Sequence, residues 1–216
     1  MTLAVLRLQG FSNATGAEQS IPGMAVLFSF MSTVLLGNSF FKEHDWHTWD
    51  RLRSSPIFAI EIVLGKCLPV LGVSLLQLAV IWSVGLGFYK LKLHGTLLAI
   101  AIVTICLSWA TLGLGMVLVS LCRTIDQLGI IANMGSLILG GLSGAFTPLN
   151  LHTTLGSLAQ FSPLYWALHA YHIVIFDSSD LADIALPCSL LIAFGFVGFI
   201  IAASKFRVTD VKIGRS

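Results

Sequence analysis

The chain has 216 residues, of which 56% are hydrophobic and only 10% are charged, and its formal net charge is +2. Soluble domains carry about 25% charged residues, so the composition excludes an ordinary soluble domain, and the small net charge gives no sign of nucleic-acid binding. The apolar runs are continuous rather than alternating, which predicts an all-α, polytopic transmembrane helical bundle and not a β-barrel.

Five uncharged runs are long enough to cross a bilayer, because about 20 helical residues at ~1.5 Å each cover a hydrocarbon core of ~30 Å. In chain order the predicted spans are 20–41, 67–89, 95–122, 127–146 and 184–204. No internal repeat or low-complexity linker divides the sequence, so residues 1–216 are interpreted as a single membrane domain.

The segment 147–176, before the last span, contains no Asp, Glu, Lys or Arg, but it is too polar for a lipid-facing helix. Its polar and helix-breaking residues are Pro148, Asn150, His152, Thr153, Thr154, Gln160, Ser162 and Pro163. Such backbone is tolerated at membrane depth only against protein or a cavity. We therefore predict a re-entrant or interfacial pair of short helices here.

The positions of Lys and Arg predict the orientation of the chain. Five spans with the N-terminus outside place nine basic residues in the cytosol and three outside. The cytosolic ones lie in the loop 42–66, at Arg123 and in the C-terminal tail. A sixth span over 151–176 would move the basic tail outside, so we expect a cytoplasmic C-terminus. The sequence before the first predicted span is short for an N-terminus that lies outside the membrane. This suggests that a preceding span is absent, or that the sequence begins partway along a longer protein.

The loop 42–66 holds eight charged residues in 25 positions, between two apolar runs. Asp45 is a candidate N-cap for a short helix, and Trp46, Trp49 and Leu52 then lie on one side of it. An ordinary interfacial helix, with tryptophan in the headgroup region, explains this pattern. A docking site for another protein explains the pattern equally well, because tryptophan and arginine on an exposed element are typical of an interface hot spot.

The same segment continues into a second helix start. Ser55 is a suitable N-cap and Pro56 a suitable first helical residue. The segment from Glu43 to Pro56, followed by Glu61 and then Gly65-Lys66, resembles the signature of ABC-2 type transporter permeases. The sequence from Thr48 to Arg53 is most similar to the drug- and antibiotic-resistance branch of that family. His47 stands where the family usually has Gly.

A second resemblance lies downstream, where Pro148 and the run Phe161-Ser162-Pro163-Leu164-Tyr165-Trp166-Ala167 are similar to the family's proline- and tryptophan-containing segment. In the family this segment forms short re-entrant helices on the outer side. The resemblance covers roughly residues 20–207 and corresponds to spans two to six of a family that usually has six.

The resemblance implies the membrane subunit of an ABC exporter in the bacterial inner membrane, moving a hydrophobic or amphipathic, drug- or antibiotic-like compound out of the cytoplasm. The implied partners are a cytosolic ATP-binding cassette subunit, a second permease chain, and membrane lipid. We expect the second permease chain to be identical to this one, so that the two form a homodimer. ATP and Mg would be bound by the partner, since this sequence has no GxxxxGK[ST] motif, and no cofactor, metal or nucleic acid is expected on this chain. Export of a lipid-linked glycan is the alternative within the same fold.

The resemblance also assigns residues to roles. The implied ATPase-coupling residues are Glu43, Trp46, Thr48, Trp49, Asp50, Arg51, Leu52, Arg53 and Pro56. The implied residues of the outer re-entrant segment are Pro148, Pro163, Tyr165 and Trp166.

An enzyme is the alternative of a different class. Gly141–Gly144 reads GxSG, the nucleophile motif of rhomboid-type intramembrane proteases, and His169 or His172 is a candidate base. Ser143 ends a span instead of beginning one, so small residues that permit close helix packing are the favoured interpretation. The pair His169 and His172 has no third ligand nearby in sequence, so no metal site is predicted.

Overall fold

The computed structural model describes residues 16–45, 59–91, 95–145, 159–176 and 183–213, with backbone alone at residues 17, 42–45, 59–60 and 205–213. These residues form helices and no strands. The helices are α1 (Gly16–Met31), α2 (Thr33–Asp45), α3 (Ala59–Gly87), α4 (Leu97–Leu121), α5 (Ile125–Ser143), α6 (Pro163–Phe176) and α7 (Ala185–Ile213).

Five stretches are long and apolar enough to cross a membrane. They are Glu18–Phe41, Glu61–Gly87, Leu97–Leu121, Ile125–Ser143 and Ala185–Ser204. The predicted all-α polytopic bundle is therefore confirmed.

The first span differs from its prediction because it is broken at Ser32 into α1 and α2. The Ser32 hydroxyl donates to the Ser29 carbonyl at 2.6 Å, and the Leu35 amide bonds to the Ser32 carbonyl at 3.0 Å. The Leu35 bond reaches the carbonyl three residues back, the tighter 3₁₀ pattern, in place of the α-helical bond to the fourth. The apolar pattern of the sequence does not indicate this break.

The stems of the charged loop also extend further than predicted. Helix α2 continues to Asp45, so the candidate N-cap is the last residue of the incoming helix. Helix α3 begins at Ala59 and runs without interruption to Gly87, so Glu61 and Lys66 stand on its first turns. The membrane span was predicted to start after these charges, at residue 67, whereas the helix start predicted at Pro56 agrees with a helix that includes both of them.

Two buried clusters occupy opposite ends of the bundle. We name the end that carries Asp45, Ala59 and Leu121 the loop end, because the charged loop joins α2 and α3 there. The cluster at this end comprises Leu36, Phe40, Cys67, Val70, Leu112, Met116, Val119, Cys122, Leu128, Ala132 and Ala202. The larger cluster lies toward the opposite end and includes Val26, Leu78, Trp82, Leu107, Leu164, Tyr171 and Leu191.

The spans are buried unequally. In the most apolar stretch of each span, 61% of the first span and of α4 is buried, against 28% of α3 and 22% of α5. The first span and α4 therefore form the centre of the bundle. Helices α3 and α5 present most of their apolar surface outward, as membrane helices do toward lipid or another subunit.

Helix α5 has clear start and stop signals. The Thr124 hydroxyl accepts from the Gln127 amide at 3.2 Å, which is an N-cap. At the other end Gly144 has φ 89°, a left-handed conformation that glycine adopts without a Cβ penalty. Its carbonyl accepts from the Gln19 side-chain amide at 2.7 Å, which joins the start of α1 to the end of α5.

Candidate functional site

The loop end contains the stems of the predicted coupling segment. Glu43 lies in the last turn of α2, by its backbone. The other predicted coupling residues, Trp46, Thr48, Trp49, Asp50, Arg51, Leu52, Arg53 and Pro56, fall outside the described residues. Their role as a docking surface stays a prediction, and what the structure adds is the arrangement of the two helices that carry them.

The two stems are joined by the side chain of Lys66. Its Nζ donates to the main-chain carbonyl of Ser39 in α2 at 2.9 Å and lies 4.4 Å from the centroid of the Phe40 ring. Lys66 is 8% exposed. A buried ammonium needs such partners because an unheld charge is costly in an apolar environment. The sequence analysis placed Lys66 only near the membrane interface.

A groove of about 540 Å³ lies between α2 and α5 near the loop end. Its lining is Val34, Asn38, Ile125, Asp126, Gly129, Ile130, Asn133 and Met134. The groove thus combines apolar walls with two amides and one carboxylate, a surface suited to an amphipathic ligand. Within the described part of the chain, the side chains of Asn38, Asn133 and Asp126 form no hydrogen bond or ion pair.

Of the segment 147–176, which was predicted to lie at the outer side, the structure describes α6, a helix of 14 residues. At ~1.5 Å per residue it is ~21 Å long, too short to cross a hydrocarbon core of ~30 Å. The Gly95 amide, just before α4, donates to the Val174 carbonyl at 3.0 Å, so α6 packs at the end opposite the charged loop. The re-entrant course of this segment stays a prediction. Pro148 and the expected companion of α6 lie outside the described residues.

The predicted residues of α6 form an aromatic group at the start of that helix. Pro163 is its first residue and is buried. The rings of Tyr165 and Trp166 have centroids 5.5 Å apart, and His169 stacks on Tyr165 at 6.1 Å. The Trp166 indole N–H donates to the Gln160 carbonyl at 2.8 Å. Half-buried aromatic rings with polar atoms are typical of the membrane–water interface.

Helix α4 holds three other helices through hydroxyl groups on one face. Thr104 lies 3.0 Å from the Tyr171 hydroxyl of α6, and Thr111 lies 3.2 Å from the Ser29 hydroxyl of α1. Between them, Ser108 accepts from Ser74 of α3 at 3.3 Å. The positions 104, 108 and 111 are one turn apart, which brings their side chains to one face.

The side chain of Ser143 supports the end of α5 and is not placed as a nucleophile. Its hydroxyl donates to the Gly140 carbonyl at 2.8 Å, and the residue is 3% exposed. A serine nucleophile must pass its proton to a base, whereas this hydroxyl caps the end of α5. A Cβ on Gly140 would meet the Leu27 side chain, which is the close helix packing predicted for this run of small residues. Among the described residues no group of three His, Cys, Asp or Glu is placed to hold a metal.

Two features of the site were missed in the sequence, and each had a weak signal there. Asn38 and Asn133 are amides inside apolar runs, but only the fold shows that they line one groove. Lys66 is a charge at the edge of an apolar run, and only the fold shows that it is buried against α2.

Comparison with known proteins gives a consistent result. The family model for the ABC-2 type transporter matches residues 2–176. The chain is 26% identical over 148 residues to a probable multidrug ABC transporter permease of Escherichia coli, a match that covers 67% of this chain and 40% of that relative. It is 21% identical over 215 residues to the linearmycin resistance permease protein of Bacillus subtilis, covering 94% of this chain and 54% of that relative. The chain therefore spans about half the length of these relatives, or less. No solved structure matches the chain significantly.

Proposed function

Because the chain belongs to the ABC-2 type transporter family, we propose that it is the membrane subunit of an ABC exporter that moves a hydrophobic or amphipathic compound out of the cytoplasm. The sequence resemblance to the drug- and antibiotic-resistance branch is in line with the relatives named as multidrug and linearmycin resistance permeases. The energy comes from ATP hydrolysed with Mg in a separate cytosolic subunit.

The ATPase binds the charged loop. This proposal is supported by the helices on either side of the loop, which run up to Asp45 and from Ala59 and are joined to each other by Lys66. A loop held between two such stems can transmit a displacement into the bundle. The aromatic and cationic residues at 46–53 are of the kinds that dominate protein interfaces.

The loop end faces the cytoplasm in this proposal. The excess of Lys and Arg in the loop and in the C-terminal tail supports that orientation. Five spans place the end of α7 at the same end of the bundle as the loop. The C-terminus is then cytoplasmic, and α6 with its aromatic group lies at the outer face of the bacterial inner membrane.

The working unit contains two copies of the chain and two ATPases. The outward apolar faces of α3 and α5 support this, since they are available to lipid and to a second copy. We place substrate contact in the groove between α2 and α5, because its amides and carboxylate stand beside apolar walls. An amphipathic compound satisfies both kinds of surface.

Replacing two positive charges of the loop with negative ones tests the docking proposal. Arg51→Glu combined with Arg53→Glu is expected to abolish co-purification of the chain with its ATP-binding cassette subunit from detergent-solubilised membranes. Arg123→Glu is the matched control, because Arg123 is a basic residue on an exposed turn at the same end of the bundle. Full retention of the ATPase by the loop variant would refute the docking proposal.

A further inference from the structure

Lys66 connects the two helices from which the charged loop emerges. The ammonium group belongs to α3, and it contacts the Ser39 carbonyl at 2.9 Å and the Phe40 ring at 4.4 Å, which belong to α2. Such a contact is specific, since a hydrogen bond fixes the ammonium along one direction and the ring face fixes it along another.

The surroundings favour this contact energetically. The Ser39 carbonyl supplies the acceptor that a buried ammonium needs in an apolar environment. Phe40 and the adjacent Cys67 belong to the buried cluster at the loop end. Removal from water strengthens an electrostatic contact once both partners are in place.

The contact also restricts movement. It closes a ring between Ser39 and Lys66, which are 27 positions apart in sequence, and this ring contains the whole loop segment 46–58. Helix α2 cannot slide along α3 unless the ammonium leaves the Ser39 carbonyl. A displacement of the loop is therefore shared by both helices.

We propose that Lys66 is a positioning residue that makes α2 and α3 move as one body when the ATPase displaces the loop. This inference rests on the proposed function, because the displacement comes from the ATPase. A lysine that served stability alone would not determine whether ATP hydrolysis changes the far end of the bundle.

The test compares Lys66→Met, Lys66→Arg and Lys90→Met in the complex of the chain with its ATPase, reconstituted in lipid. Lys66→Met keeps the apolar stem and removes the charge and the donors, Lys66→Arg keeps both, and Lys90 is an exposed lysine near the opposite end of α3. Two native cysteines report by alkylation with N-ethylmaleimide, read peptide by peptide in a mass spectrometer. Cys67 lies beside the contact, and Cys188 lies near the start of α7 at the opposite end.

In the wild type we expect Cys67 to be protected and the alkylation rate of Cys188 to change on addition of ATP. Lys66→Met should bind the ATPase and hydrolyse ATP, gain alkylation at Cys67 and lose the ATP dependence at Cys188. Lys66→Arg and Lys90→Met should behave as the wild type.

Two results would overturn the inference while leaving the proposed function intact. One is a Lys66→Met complex that keeps the full ATP response at Cys188, even if its thermal stability is lower. The other is unchanged protection of Cys67 in that variant, which would mean that the side chain does not hold the helices together. If the wild-type chain binds no ATPase, the proposed function itself fails and the coupling role of Lys66 falls with it.

Discussion

The carbonyl carbon of Gly113 lies 2.6 Å from the position that a Cβ on Gly198 would occupy. Helices α4 and α7 therefore touch backbone to backbone, with Gly195 at the same crossing. Small residues allow this approach, and close packing of the backbone is a main source of stability between helices in a membrane.

Gly198→Ala should lower the free energy of unfolding by roughly 1–3 kcal/mol, the usual cost of overpacking a core. Gly72→Ala in α3 is the control, because no atom of a neighbouring helix lies within 4 Å of the position of its Cβ. Thermal unfolding of the two purified variants in the same detergent measures the difference. Equal stability of the two would show that α4 and α7 do not cross at Gly198.

The hydrogen bond between Thr104 and Tyr171 predicts an asymmetry between two substitutions. Thr104 donates its proton to the Ile100 carbonyl at 2.7 Å, so the Tyr171 hydroxyl is the donor between the two side chains. Thr104→Val leaves this buried hydroxyl without its acceptor and should cost on the order of 1–2 kcal/mol. Tyr171→Phe leaves Thr104 bonded and should cost about 0.6 kcal/mol, a typical value between membrane helices. Chemical denaturation of both variants and of the double variant gives the comparison, and a larger loss for Tyr171→Phe would contradict the donor assignment.

Ser143→Ala should leave export unchanged and lower stability only slightly, since the lost hydrogen bond is a local one to Gly140. Growth of cells that express the variant in the presence of an exported drug measures transport. An intramembrane protease would lose its activity completely with this substitution, so complete loss of function would favour the enzyme over the exporter.

Asn133→Leu should change which drugs are exported without lowering stability. The amide lines the groove between α2 and α5 and is exposed, so its loss removes a polar contact for a ligand and none that supports the fold. Met134→Leu is the matched control in the same groove, since it keeps an apolar wall of similar size. Susceptibility of expressing cells to a panel of drugs gives the readout. An unchanged export profile for Asn133→Leu would place the substrate elsewhere.

The parts of the fold that depend on composition and on a motif were predictable from sequence. The continuous apolar runs predicted the five spans, and the segment from Glu43 to Pro56 predicted the family that the family model confirms. The break at Ser32 was not predictable, because neither Gly, Pro nor a charged residue marks the position in the sequence. The burial of Lys66 was not predictable either, because its partners Ser39 and Phe40 are distant in sequence.

The central claim is that the charged loop lies on the cytoplasmic side, where an ATPase can bind it. Ser54→Cys, in a chain whose native cysteines are replaced by alanine, tests this with a membrane-impermeant maleimide applied to right-side-out and inverted vesicles. Tyr89→Cys, at an exposed position at the opposite end of the bundle, is the control for the outer face. We predict that Ser54→Cys is labelled only in inverted vesicles and Tyr89→Cys only in right-side-out vesicles. Labelling of Ser54→Cys from the outside would contradict the account.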